Sequence, residues 1–186
     1  MMKVESWLLI ATCILSCLSC DADKLRKESA SFIGKKMSVP YDKMVILPKD
    51  SSITSTERNS QFVYISYLDS LECSPCHMSK VNKWEEIDSL FIDAKLPFNV
   101  TLIFAAKSQS VHTLWKSYVS NGCIRKIYVD TANVFVTTNT FLPRDKRLHT
   151  LLLNPEGEIV LIGNPISNVK IKKLLCEYLD SYITNQ

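Results

Sequence analysis

The chain has 186 residues, 46% of them hydrophobic and 22% charged, with a formal net charge of +3. That length fits one domain with a small extension, and the composition is that of an ordinary soluble globular protein. Lysines and arginines are scattered and often lie next to acids, as in Asp23-Lys24, and no basic stripe interleaves with aromatics, which argues against nucleic acid as a partner.

At the N-terminus, Lys3 precedes an apolar run from Trp7 to Leu18. Spanning a bilayer core takes about twenty such residues, and a short run behind a positive start reads as a secretory signal. The run closes on ILSCLSCDADK, where small residues stand before cysteines just past the apolar stretch. This resembles a bacterial lipoprotein signal, whose cleavage leaves a lipid-bearing cysteine as the new N-terminus. Cys20, followed by the acidic stretch Asp21-Ala22-Asp23, is the expected lipidation position; Cys17, with Ile14-Leu15-Ser16 before it, is the alternative. A plain cleaved signal without lipid is the other reading. The expected division is a signal over residues 1–20, an N-terminal extension over 21–60 and a domain over 61–186. Of seven cysteines, Cys13, Cys17 and Cys20 fall in the signal, leaving Cys73, Cys76, Cys123 and Cys176. Export puts these four where disulfides persist. They are too few for a disulfide-stapled scaffold, but two of them share a C-x-x-C, which asks for a chemical explanation.

Leu25, Ala30 and Ile33 suit one side of a short helix ending near Gly34, and Met44 to Leu47 is a possible strand closed by Pro48. The polar stretch DSSITSTERNS, residues 50–60, reads as a loop. Phe62 to Tyr67 is aromatic and β-branched and predicts a buried strand. After a turn over Leu68 to Glu72 come the two cysteines. From Ser74, apolar residues at Met78, Val81, Trp84, Ile87, Leu90, Phe91 and Ala94 predict one helix of about twenty residues, stopped by Pro97. Phe98 to Ala105 predicts a second strand. Val111, Leu114, Trp115 and Tyr118 mark a helix closed by Asn121-Gly122. Ile124 to Asp130 suggests a short strand; Leu148 to Leu153 and Glu158 to Ile162 predict two more, joined by the tight turn NPEG. A last helix runs through Ile171, Leu175 and Leu179, capped by Ser167 or Asn168. This alternation predicts an α/β fold in three layers, a mixed central sheet flanked by helices.

The pair in ECSPCHM, residues 72–78, sits where a strand ends and a helix begins. A helix start offers unpaired N–H groups and partial positive charge. A thiolate placed there is favoured over the thiol, its pKa falling from about 8.5 into the range of roughly 3.5–7.5. Cys73 is then the attacking sulfur, at the cap position, and Cys76, one turn on and more buried, resolves the mixed disulfide. Pro75 fits the first turn, where its missing N–H costs little.

The order of strand, CSPC, helix, strand and helix, followed by HTLLLNPEGEIVLIG and a final helix, resembles the thioredoxin superfamily. Within it the chain is most similar to secreted, membrane-anchored thiol–disulfide oxidoreductases of the cytochrome-maturation type, and a lipoprotein signal ahead of such a domain resembles proteins of Bacteroides-like bacteria. The resemblance covers about Phe62 to Tyr182. It implies an envelope protein that exchanges disulfides with a partner protein and is served by an upstream redox partner, with no cofactor. Three departures stand out. The aromatic residue usual before the first cysteine is Glu72, whose charge opposes the helix by raising the pKa of a neighbouring thiolate. The acid usual six residues before that cysteine is Tyr67, with Asp69 the nearest carboxylate. The position of the usual cis-proline falls on His149, or on Leu148; a cis bond there would cost about 2.5–4 kcal/mol without proline, so this one is expected to be trans.

Two other classes of function remain open on the sequence. The domain could be a binding module whose cysteines are a structural disulfide. Alternatively Cys73, Cys76 and His149, with His77 as a fourth, supply the soft and borderline ligands that zinc or copper(I) favours. His77 reads otherwise as an exposed first-turn residue, and His149 as a half-buried imidazole that lines the groove. Cys123 and Cys176 read as core cysteines, and Asp130 as a turn residue.

Overall fold

The computed structural model of the chain describes residues 23–48, 61–69, 74–107 and 110–185. Cys17, Cys20, Glu72 and Cys73 lie outside the described residues. The chain divides into two compact units, one up to Ile33 and one from Gly34 to Gln186. In the first, a helix, α1, covers residues 23–30. None of the described helices is long and apolar enough to cross a membrane.

The second unit is built on a six-stranded sheet of β1 (Val45–Leu47), β2 (Phe62–Leu68), β3 (Phe98–Ala105), β4 (Ile127–Asp130), β5 (Thr150–Leu153) and β6 (Ile159–Ile162), in the order β1-β4-β3-β2-β5-β6. The aromatic and β-branched run of β2 is buried on both faces, as a central strand requires. It pairs in parallel with β3, from Phe62 opposite Phe98 to Leu68 opposite Phe104. On its other side it pairs antiparallel with β5, from Val63 opposite Leu153 to Ser66 opposite Thr150. β3 and β4 are parallel, while β1 and β6 pair antiparallel with β4 and β5. Residues 34–47 belong to this unit: Lys36 bridges to Glu158, and Tyr41 packs on Tyr128 with ring centroids 5.0 Å apart.

The helices are α2 (Ser74–Met78), α3 (Glu85–Asp93), α4 (Val111–Ser120), α5 (Val134–Thr138) and α6 (Val169–Thr184). The period-2 alternation of β2 sends Phe62, Tyr64 and Leu68 to one face. There they join Trp84, Ile87 and Phe91 with Leu114 and Tyr118 of α4 and Leu175 and Leu179 of α6. Tyr67 goes to the other face and stacks on Phe135 of α5, centroids 5.1 Å apart. Helices therefore cover both faces of a mixed sheet, the layering expected from the sequence. Asn168 is the cap of α6, its side-chain oxygen accepting from the amides of Lys170 at 3.0 Å and Ile171 at 3.4 Å.

Three local expectations are corrected. The helix expected from Ser74 to Ala94 is broken: α2 stops at Met78, and a 3-10 turn over Val81–Trp84 precedes α3. The turn keeps Val81 and Trp84 inside, so the apolar spacing survives the break. Asn82 uses the interruption to grip the turn after α4, donating to the Gly122 carbonyl at 3.0 Å and accepting from the Ile124 amide. Second, α5 has no counterpart in the expected elements. Its sequence, VFVTT, is β-branched and poor in helix propensity. It is held by the buried Asp130 carboxylate, which accepts from the Val134 and Phe135 amides, both at 2.9 Å. Third, Leu148 lies in a 3-10 turn, Lys146–Leu148, and not in β5. Asp145 caps that turn by accepting from the Arg147 amide at 3.0 Å, and the strand begins only at Thr150.

Candidate functional site

The central strand β2 ends at Leu68, and α2 begins at Ser74, the residue after Cys73. Pro75 sits in the first turn of α2. Cys76 lies within α2 and is exposed, contrary to the expectation that it withdraws into the fold. Cys76 is the third of the five residues of α2, and it is Met78 that turns inward and is buried. The carbonyls at its C-terminal end are met by side chains. The Ser79 hydroxyl donates to the Cys76 carbonyl at 3.0 Å, and the Cys123 thiol donates to the Met78 carbonyl at 3.4 Å. Burial pushes the Cys123 pKa up, which keeps the thiol in its donating form. Cys176, on α6, is half-buried.

His149 stands at the entrance to β5 with φ −85° and ψ 7°. It is more deeply buried than the half-buried imidazole expected. Its carbonyl accepts from the Tyr67 amide at 2.9 Å, and its own amide donates to the Lys146 carbonyl at 3.0 Å. Nε2 lies 2.7 Å from the Pro143 carbonyl. A carbonyl only accepts, so Nε2 carries the proton. Nδ1 is buried and has no hydrogen-bond partner among the described residues. The cis peptide bond among the described residues is Leu47–Pro48, so the Leu148–His149 bond is trans. Leu148 is buried beside it.

Tyr67 occupies the place, six residues before Cys73, where the sequence comparison looked for an acid. Its ring is 5.6 Å from that of His149. Its pKa is pushed up to about 12, by burial first and then by the charges of Asp130 and Asp69. Asp69 pairs with Lys146 at 3.4 Å.

His77 points to different surroundings. It is half-buried and lines a cleft with Ser66, Leu68, Trp84 and Phe104, on the face of β2 opposite Tyr67 and His149. The two histidines are therefore separated by the sheet and do not form one ligand set. Among the described residues no three His, Cys, Asp or Glu side chains group as metal ligands. The cleft brings in Lys80, Asn164 and Ser167, which sequence reasoning missed. Only the proximity of Lys80 to the C-x-x-C signalled any of them; Asn164 and Ser167 arrive through the turn between β6 and α6.

No family model and no curated protein matches the chain. Solved structures do resemble it. The thioredoxin domain of a thiol-disulfide oxidoreductase from Bacteroides vulgatus is 15% identical, with 76% of this chain and 96% of that one covered at a TM-score of 0.51. A PrxQ cysteine-to-serine variant from Xylella fastidiosa is 10% identical over 81% of this chain and 96% of that one, at 0.53. A thioredoxin-like protein solved in its oxidised form is 13% identical over 80% and 95%, at 0.51. At such identities what is shared is the architecture, and the chain has a thioredoxin-like fold.

Proposed function

We propose that this chain is an envelope thiol–disulfide oxidoreductase that works through Cys73 and Cys76. The observation that carries the reading is the start of α2 at Ser74, directly after Cys73 and beyond the end of the central strand, with Cys76 exposed on that helix. The thioredoxin-like fold supports it, and so does the activity of a structural neighbour, a thiol-disulfide oxidoreductase. In the reaction, the Cys73 thiolate attacks one sulfur of a partner's disulfide. A mixed disulfide forms and the partner's other sulfur leaves as a thiolate, which takes up a proton. Cys76 then loses its proton and attacks the Cys73 sulfur, releasing the partner's second thiol. The pair ends oxidised and the partner reduced by two electrons; an upstream dithiol returns the pair to its starting state. The same steps run backwards oxidise a partner dithiol, and the direction follows the potentials of the two couples.

In this reading His149 and Leu148, at the entrance to β5, line the groove that the partner would occupy, and Pro75 stiffens the segment between the two cysteines. Glu72 moderates the thiolate by its charge. Lipid on Cys20, or on Cys17, would hold the domain at the envelope surface, where a stable anchor takes more than one acyl chain.

The test is reduction of insulin by dithiothreitol, with pH-dependent alkylation of the cysteines, in wild type, Cys73→Ala and Cys76→Ala. The reading expects catalysis in wild type, none in Cys73→Ala, and a trapped mixed disulfide in Cys76→Ala. Catalysis absent from wild type, with a reduced Cys73 that alkylates like free cysteine, would overturn the reading. Acyl labelling of Cys20→Ser and Cys17→Ser cells checks the anchor.

A further inference from the structure

The cleft beside α2 lies one residue from Cys76 along the chain, since His77 is at its mouth. Its volume is about 120 Å³. Small-molecule sites run from roughly 300 Å³ upward, so this one is too small for a metabolite or cofactor. It is somewhat smaller than the ~150 Å³ apolar cavity that admits benzene, which suits a single branched aliphatic side chain. The interior fits that occupant: Leu102 and Phe104 from β3 and Val81 and Trp84 from the 3-10 turn are all buried. The one hydroxyl in the floor, Ser66, is already bonded to Thr150 at 3.2 Å.

The mouth has a sign. Lys80 lines it and no acidic residue does. Lys80 is exposed and has no carboxylate partner among the described residues. Ser167 closes the other side, exposed at the end of the turn into α6.

We infer that this cleft is the anchor for the disulfide partner protein: it takes a leucine- or isoleucine-sized side chain, while Lys80 reads an aspartate or glutamate next to it. The inference rests on the disulfide-exchange reading for its biological meaning. Its chemistry is that of a buried aliphatic anchor with a charged rim, where the anchor supplies affinity and the charge supplies orientation and encounter rate. A partner seated there lies against the flank of α2, the helix that carries Cys76.

The test uses the full chain and cysteine-free fluorescent peptides, so binding is read apart from redox chemistry. One peptide carries leucine followed by aspartate, a second glycine and serine, a third leucine followed by lysine. Anisotropy titration should show the first binding at least tenfold more tightly than the other two. Ser167→Trp, which caps the mouth from an exposed position, should abolish the preference. Lys80→Glu should shift it toward the leucine–lysine peptide. Equal binding of all three peptides overturns the inference, and so does a preference that survives both variants. Tighter binding of free 4-methylpentanoate than of the leucine–aspartate peptide overturns it as well, because the cleft would then be a small-carboxylate site. Exchange with hydroxyethyl disulfide is measured in parallel. Its loss in wild type counts against the cysteine-pair reading alone, whereas normal exchange in both variants with altered peptide preference supports the anchor.

Discussion

The thiol of Cys123 donates a hydrogen bond to the carbonyl of Met78, 3.4 Å away and 45 residues earlier in the chain. Met78 is the last residue of α2, so the bond ties the turn after α4 to the helix that carries Cys76. Cys123→Ala removes the donor and leaves a buried carbonyl with fewer partners. The expected loss is about 1–2 kcal/mol in urea denaturation, with Cys123→Ser losing less because its hydroxyl still donates. Burial raises the thiol's folded pKa above its unfolded value. Its contribution is therefore whole below the unfolded value near 8.5 and fades as pH rises through the folded one. Iodoacetamide at pH 8 should modify Cys76 far faster than Cys123. Equal labelling of the two would show that the thiol is not held in the core.

His149 replaces a residue type that would make a different backbone. Its φ of −85° comes close to what a proline ring accepts, but its amide donates to the Lys146 carbonyl at 3.0 Å. Proline has no such donor, and it disfavours the helical conformation of the residue before it, here Leu148 in its 3-10 turn. The side chain would go too, and with it the donor to Pro143. His149→Pro should cost about 2–3 kcal/mol of unfolding free energy. His149→Gln, which keeps a donor, should cost less. A proline variant as stable as wild type would mean that the turn rearranges to a cis bond without penalty.

The sequence is informative where a boundary is local. β3 starts at Phe98, directly after Pro97, and Asn121-Gly122 ends α4, both at the expected residues, with Gly122 taking a φ of +58° that only glycine adopts freely. It is uninformative where distant groups decide. Nothing near Asn82 in sequence says that the Gly122 carbonyl will compete for its side chain, so the helix reads as continuous. The placement of His149 beside the strand that leads to the cysteines was legible, because the motif after it aligns on Gly157. The cleft was not, since its walls come from Leu102, Trp84 and Ser167, three segments that meet only in the folded sheet.

Asp130 shows the same dependence on distant effects in reverse, one carboxylate imposing a helix on a strand-like sequence. It is fully buried, and accepts from the amides of Val134, Phe135 and, at 3.3 Å, Ala132. Asp130→Ala strands those donors and should cost about 2–3 kcal/mol, measured by urea denaturation. Asp130→Asn keeps one accepting oxygen and should fall between. Since α5 supports Tyr67 through Phe135, hydrogen exchange of the amides at 134–138 should quicken in both variants. Unchanged exchange would show that α5 holds by packing alone.

Tyr67 gives the chain an alkaline signature. An unfolded tyrosine ionises near pH 10, while the folded phenol is held to about 12 by burial and by Asp130 and Asp69. The folded pKa is the higher, so the unfolded state sheds its proton first. The stabilisation is complete below pH 10 and declines as pH climbs through 12. Tyr64 and Tyr178 are also raised by burial and add to the decline. Tyr67→Phe keeps the ring on Phe135 and deletes one titration. Its stability, followed by urea denaturation from pH 9 to 11.5, should fall less steeply than that of wild type, by up to one proton. Absorbance at 295 nm should show one fewer late-ionising phenol. Parallel stability curves for the two proteins would mean that Tyr67 reaches solvent and titrates like a free tyrosine.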